Sequence, residues 1–340
     1  MFFDDIIGQQ SAVNIFKQVL ESNRLSHAYI FTGPSGVGKF LFARTMAKVL
    51  MCENNEEGKW FTKGCSKCRA CKLVDKNSHP NLRIIEVEKG KQEINIEAVR
   101  EIEKELILMP FYRSYRVFII NEAERMSEES ANAFLKTLEE PVKNTVIILV
   151  TSNLTALLPT ILSRCQIIRF YPLQQEQMKE YLIKHMKIDS GQASFLTHLC
   201  RGSIGDAVGL HSQNMFSQRD SLINGLIEKN RSSHLGGAGG NMPDRIIKYA
   251  KYNAQDNEGI RQEIIRQLKI IGFFVRDVLW LHYGLVDSKL FNRDKITEVK
   301  KYQKSYDCQQ VEKLIDKLLE SERYLRYNAN INLVMDNLFL

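Results

Sequence analysis

Apolar positions in the first half of the chain fall into alternating strand-like and helix-like segments. Short β-rich runs lie at Ala28–Phe31, Leu82–Val87, Val117–Ile120, Val146–Val150 and Ile167–Tyr171. Between them apolar residues recur at helical spacing, as with Val99, Ile102, Leu106 and Met109 in a helix expected over residues 96–109. A second helix is expected after Ser127, whose hydroxyl suits an N-cap, with Glu128 and Glu129 well placed in its first turn. Ala131, Phe134, Leu135 and Leu138 stripe that helix, and Pro141 ends it. Strands alternating with helices predict an α/β domain with a mostly parallel sheet covered on both faces.

After about Pro172 the strand signal fades. The chain is expected to comprise an α/β domain over residues 1–172 with a cysteine-bearing insertion at 52–71, and a small helical domain over 173–230 built from several short helices. A Gly-rich linker over 231–242 and a helical domain over 243–340 complete it. In the last domain, residues 260–284 are apolar enough for a central, buried helix, and Val311, Leu314, Ile315, Leu318 and Leu319 stripe another. No internal repeat is present.

Composition changes this picture little. Hydrophobic content of 44% and charged content of 26% over 340 residues are ordinary globular values. No apolar run is long enough for a membrane helix, and the N-terminus lacks the basic start and cleavage site of a signal peptide. A cytoplasmic protein without membrane contact is therefore expected. The net charge of +7 is compatible with a polyanionic partner, but a solvated charged surface is the better account of it.

Gly33-Pro-Ser-Gly-Val-Gly-Lys39 follows a strand and opens a helix, the context a phosphate-binding loop requires. Gly33, Gly36 and Gly38 let backbone N–H groups approach phosphate oxygens, and Lys39 supplies a point charge. The pattern normally continues with Ser or Thr, whose hydroxyl binds magnesium. Phe40 stands there instead. A second magnesium group, an Asp, is expected at the end of a hydrophobic strand. The matching strand ends in Asn121, which offers a hard cation only a neutral carbonyl. Glu122 remains as a water-activating base with little metal site to act upon. The expectation is a loop dead in hydrolysis, with nucleotide occupancy through Gly33–Lys39 left open.

Four of the seven cysteines, Cys52, Cys65, Cys68 and Cys71, fall within one short stretch. In a reducing compartment such clustering favours a metal over disulfides. Four thiolates point to structural zinc, because a filled tetrahedral site leaves no open position for water or substrate. Lys67, Arg69 and Lys72 offset the charge, and Gly64 is expected to ease the turn. An iron–sulfur cluster is the competing reading, but its fourth Cys normally lies just downstream and here it lies upstream. Cys165, Cys200 and Cys308 read as buried small hydrophobes, and His27 and His79 as packing or capping residues.

Several strings together carry a family resemblance: Phe3-Asp-Asp-Ile-Ile-Gly-Gln9, Ser26-His-Ala-Tyr-Ile-Phe-Thr-Gly33, the cysteine cluster and His79-Pro-Asn81. With them go Ala133-Phe-Leu-Lys-Thr-Leu-Glu-Glu-Pro141 and Ile161-Leu-Ser-Arg-Cys165. The sequence resembles the AAA+ clamp loaders of the bacterial replicative DNA polymerase, and within them the delta-prime branch. Coverage is dense to about residue 210 and thin afterwards. The resemblance implies an AAA+ P-loop module, a small helical lid and a C-terminal all-α collar that carries oligomerisation. It also implies a hetero-oligomer with motor and delta-like subunits that loads a sliding clamp on primed DNA within the polymerase III holoenzyme. Gly205 stands where motor subunits of that family place a phosphate-contacting arginine.

By the same resemblance, Arg164 points into the neighbouring motor's ATP site as an arginine finger in trans. Read from its residues alone, it is better suited to tying the strand at 167–171 to the sheet edge. The rival overall reading is an active ATPase motor of the same family, against which Phe40, Asn121 and Gly205 all count. A free-standing zinc-dependent nucleic-acid binder is remoter, since Trp60, Phe61, Lys67, Arg69 and Lys72 give only a modest aromatic and basic density.

Overall fold

Four of the five strands of the α/β region feed two cores at once, and this decides its architecture. The computed structural model describes residues 6–55, 64–88, 91–107, 115–232, 242–254 and 256–339. In chain order the first elements are α1 (Gln10–Glu21), β1 (Ala28–Thr32), α2 (Lys39–Met51), α3 (Arg69–Asp75), β2 (Leu82–Ile85) and α4 (Ile96–Ile107). There follow β3 (Arg116–Ile120), α5 (Glu128–Glu139), β4 (Thr145–Thr151), α6 (Pro159–Leu162) and β5 (Gln166–Arg169). The strands pair in the order β2-β3-β4-β1-β5, every neighbour parallel.

Successive strand side chains point to opposite faces. Tyr29, Phe31, Val117, Ile119, Val146, Ile148 and Val150 therefore join α1 and α2 in one core. Ala28, Ile30, Phe118, Ile120, Ile147 and Leu149 join α4, α5 and α6 in the other. Both faces are covered, as a parallel sheet requires. The five strand runs read from sequence all form, with ends shifted by one or two residues. The α4 helix follows the expected stripe, although Met109 lies outside the described residues. Ser127 caps α5 as expected, accepting from the Ser130 N–H.

The remaining helices are α7 (Gln175–Met186), α8 (Ser190–Cys200), α9 (Ile204–Ser212), α10 (Met215–Ser232), α11 (Met242–Asn253), α12 (Asn257–His282), α13 (Ile296–Gln303), α14 (Cys308–Arg326) and α15 (Ile331–Phe339). The chain divides into two compact units, Met1–Gln174 with Gly202–Asp206, and Gln175–Arg201 with Ala207–Leu340. In the second unit α12 is the central helix, packed against α10, α11, α13 and α14, with Ile264, Leu268, Ile271, Phe274 and Val278 buried. The expectation of short helices over 174–229 misses α10, which spans 18 residues. The α14 stripe is narrower than expected: Val311 and Leu318 are buried, but Leu319 is 62% exposed. Most of the Gly-rich linker, residues 233–241, lies outside the described residues. No helix among the described residues is long and apolar enough to cross a membrane.

Candidate functional site

The phosphate loop joins β1 to α2. Gly33, Gly36 and Gly38 all take positive φ, and Gly38 is the left-handed N-cap from which α2 starts. Gln9, only 2% exposed, steadies the loop by donating to the carbonyls of Val37 and Tyr171 and accepting from the Tyr171 N–H. Lys39 is buried and its ammonium turns back on the loop, donating to the carbonyls of Gly33 and Pro34 at 2.6 Å each. Burial lowers its pKa, and the carboxylates of Glu124 and Asp206 oppose that shift. The charge expected to meet a phosphate is thus engaged by the loop's own carbonyls.

The two positions expected to hold magnesium are engaged elsewhere. Phe40 packs its half-buried ring against the α1/α2 core. Asn121 donates its amide to Glu86 Oε1 at 3.1 Å. Glu122 does not stand ready as a base: it adopts φ 54° and pairs with Arg125 at 2.9 Å, half exposed. The carboxylate nearer the loop lysine belongs to Glu124, which sequence reasoning passed over because a 3-10 turn over Ala123–Arg125 redirects the chain after the strand. Glu124 Oε1 accepts from the Ser152 N–H at 3.0 Å and from the Ser152 hydroxyl. Burial alone would raise its pKa, yet hydrogen bonds, those from Ser152 foremost, outweigh it and hold the carboxyl below its ordinary value.

The segment Gly202–Asp206 lies against the loop. Gly205 N donates to Gly36 O at 2.8 Å. A Cβ at Gly205 would come within 2.9 Å of Gly36 Cα, and one at Gly36 within 2.0 Å of Ser203 Oγ. The expected relation of Gly205 to the phosphate loop is therefore a backbone-to-backbone contact, and the segment has no room for a side chain at that point.

The cysteine cluster assembles at the other end of α2. Cys52 is the C-cap of α2, Cys68 the N-cap of α3, Cys71 lies within α3, and Cys65 precedes them. Their four sulfurs lie within 4.8 Å of one another, with Cys65 and Cys71 3.9 Å apart. A zinc ion with Zn–S bonds of about 2.3 Å sets tetrahedral sulfurs about 3.8 Å apart, so this spacing fits. Backbone N–H groups of Cys65, Cys68 and Cys71 donate to the sulfurs of Cys52, Cys65 and Cys68 at 3.4, 3.2 and 3.3 Å, an arrangement suited to thiolates. Burial would raise the Cys65 pKa, but the N–H groups of Cys68 and Lys67 bring it down to about 6. The four cysteines form a donor set able to hold a metal ion such as zinc. Gly64 acts differently from expectation: a Cβ there would lie 2.9 Å from Lys48 Cγ, so it allows close approach, while Ser66 takes the left-handed turn at φ 55°. Lys48, 2% exposed, pairs with Asp75 at 2.7 Å and fastens α3 to α2.

Arg164 follows α6. Its Nη2 lies 2.6 Å from Glu139 Oε1, and Nη1 donates to the Thr160 carbonyl at 2.9 Å and to Ser163 Oγ at 3.3 Å. None of these partners belongs to β5. His79 is buried and its Nδ1 accepts from the Asn81 N–H, a local capping role as expected.

The sequence profile described as "DNA polymerase III, delta subunit" matches residues 8–174, and that described as "DNA polymerase III, delta subunit, C terminal" matches residues 249–340. The chain is 28% identical over 335 residues to DNA polymerase III subunit delta' of Bacillus subtilis, covering 98% of this chain and 95% of the relative. Identity to DNA polymerase III subunit gamma of Buchnera aphidicola is 32% over 214 residues, 62% of this chain and 57% of the relative. To subunit delta' of Pseudomonas aeruginosa it is 32% over 203 residues, 59% and 60% respectively.

Proposed function

This chain belongs to the DNA polymerase III delta-prime family, and on that premise we propose that it is a non-motor subunit of the bacterial replicative clamp loader. In this reading it assembles with motor and delta-like subunits and helps to load the sliding clamp on primed DNA. The observation that carries the non-motor reading is the contact of Gly205 with Gly36, together with Lys39 turned onto the loop's own carbonyls. A phosphate in the loop would have to draw Lys39 away from those carbonyls. Phe40 and Asn121 remove the two groups that would hold its magnesium. Gly33, Gly36, Gly38 and Lys39 are then the remains of a nucleotide site that now serves as a joint within the first unit.

The chemistry that this chain contributes is assigned to Arg164. Half-exposed beyond α6, it supplies a cation to the ATP site of the adjoining motor, where a finger stabilises charge on the phosphoryl oxygens and is worth roughly 10³–10⁵ in rate. Cys52, Cys65, Cys68 and Cys71 hold a structural zinc, which ties the end of α2 to α3 and takes no part in the reaction. The helical lid over 173–230 and the collar over 243–340 complete the subunit, and the collar carries assembly.

The test is co-purification with the cognate motor and delta-like subunits, paired with ATP turnover by the isolated chain. Assembly with negligible turnover of its own is expected. Magnesium-dependent hydrolysis by the isolated chain, abolished by Lys39→Ala, would establish the motor reading instead.

A further inference from the structure

Two of the three acceptors that hold Arg164 come from anchored elements. Glu139, whose Oε1 takes Nη2, is the last residue of α5. That helix is capped by Ser127 at its other end and buried through Ala131, Phe134 and Leu138, so the backbone that carries Glu139 is set by the core. Thr160, whose carbonyl takes Nη1, lies in α6 beside the fully buried Ile161. A guanidinium has five N–H donors. Three bonds go to Thr160, Ser163 and Glu139, which leaves the Nε–H and one Nη2–H for an incoming group.

Helix stability does not explain an acid at this place. The C-terminal end of a helix carries partial negative charge, so Glu139 in the last turn and Glu140 at the C-cap are locally unfavourable. Nor does fold stability explain it. The Glu139 side chain is 50% exposed and that of Arg164 34%, and ion pairs so exposed contribute little. What the pair does accomplish is orientation. A long, rotamer-rich side chain is fixed in one direction before any phosphate arrives, and that ordering no longer has to occur on binding.

We infer that Glu139 is a positioning residue for Arg164, holding the guanidinium with its two free donors available to phosphoryl oxygens of the neighbouring subunit. This rests on the reading of Arg164 as a finger acting in trans. Glu139 itself touches no substrate. It fixes the direction of the group that does.

The experiment uses the complex reconstituted from cognate subunits, with single-turnover ATP hydrolysis at the interface that receives Arg164. Glu139→Ala is expected to lower that rate roughly 10- to 100-fold, the scale of a small misplacement of a catalytic group, with the apparent KM for ATP unchanged. Glu139→Gln, whose amide oxygen still accepts, restores most of the rate. The double variant Glu139→Ala/Arg164→Ala is no slower than Arg164→Ala alone, because Glu139 acts only through Arg164. If Glu139→Ala assembles poorly, Glu139→Met keeps the volume and removes the acceptor. A parental rate for Glu139→Ala in a complex where Arg164→Ala is slow overturns the inference, as does a further loss in the double variant. A parental rate for Arg164→Ala overturns the finger reading itself, and Glu139 falls with it.

Discussion

Gly205 and Gly36 meet backbone to backbone: the Gly205 N–H donates to the Gly36 carbonyl at 2.8 Å, and neither position has room for a Cβ. A residue read from sequence as standing where a phosphate-contacting arginine belongs is, in the fold, in direct backbone contact with the loop that would hold the phosphate. The substitution that would recreate a motor subunit is therefore blocked by packing. Gly205→Ala is expected to destabilise the chain by about 1–3 kcal/mol, the usual cost of overpacking, because the atom it meets belongs to backbone. Thermal melting checks this. An unchanged melting temperature would mean that the two segments separate freely.

Restoring the magnesium ligands should not restore turnover. In Phe40→Thr/Asn121→Asp, the new carboxylate at position 121 faces Glu86, whose Oε1 now accepts from the Asn121 amide at 3.1 Å. The aromatic ring of Phe40 is also lost from the core it packs against. Lower stability with no magnesium-dependent ATPase is the expected result, read by melting and steady-state phosphate release. Hydrolysis at a motor-like rate would show that the ligands alone were limiting.

One equivalent of zinc is expected in the purified chain, by elemental analysis, and its loss should be felt in the fold. Cys52 caps α2 and Cys68 and Cys71 belong to α3, so removing the ion leaves Lys48–Asp75 as the named ion pair between these helices. Binding energy at four-thiolate sites is folding energy. Cys68→Ser, or treatment with a strong chelator, should lower the melting temperature and increase proteolysis between residues 52 and 75. Iron in place of zinc, or an unchanged melt for Cys68→Ser, would reject the assignment.

The second unit should weaken below about pH 6.5 through His198. Burial first, and then the charges of Arg276 and Arg293, push its pKa down to about 4 from an ordinary 6.5. The unfolded chain therefore binds a proton that the folded chain refuses, and stability falls as pH drops from 6.5 toward 4. His198 stacks on Phe291 with ring centroids 3.8 Å apart. His198→Phe should keep the stack while removing the proton. Across that window the variant is expected to lose less stability than the parent in denaturant melts at stepped pH. Parallel pH profiles would exclude His198 as the group responsible.

Much of the first unit was legible in the sequence because its signals are local. Short β-rich apolar runs placed all five strands, and the strand–loop–helix context placed the phosphate loop with Lys39 at the start of α2. The spacing of Cys52, Cys65, Cys68 and Cys71 identified a metal-type cluster whose sulfurs do converge. Each of these depends on neighbours a few residues away. The second unit was less legible, since α10 lacks a clean apolar period and exposure along α14 depends on which face its neighbours cover; Leu319 fits the stripe and is still exposed.

What the sequence by itself determined was the kind of residue present: no hydroxyl at Phe40, no carboxylate at Asn121, no side chain at Gly205. What only the tertiary structure decided was where the remaining groups went. Lys39 turned to the carbonyls of Gly33 and Pro34, Glu122 paired with Arg125 while Glu124 bonded Ser152, and Glu139 reached Arg164 across 25 residues of chain. Sequence periodicity reports which face of a helix or strand is buried, because burial repeats with the backbone. A polar side chain's partner is chosen by distance after the elements have packed, and nothing in the local pattern records that choice.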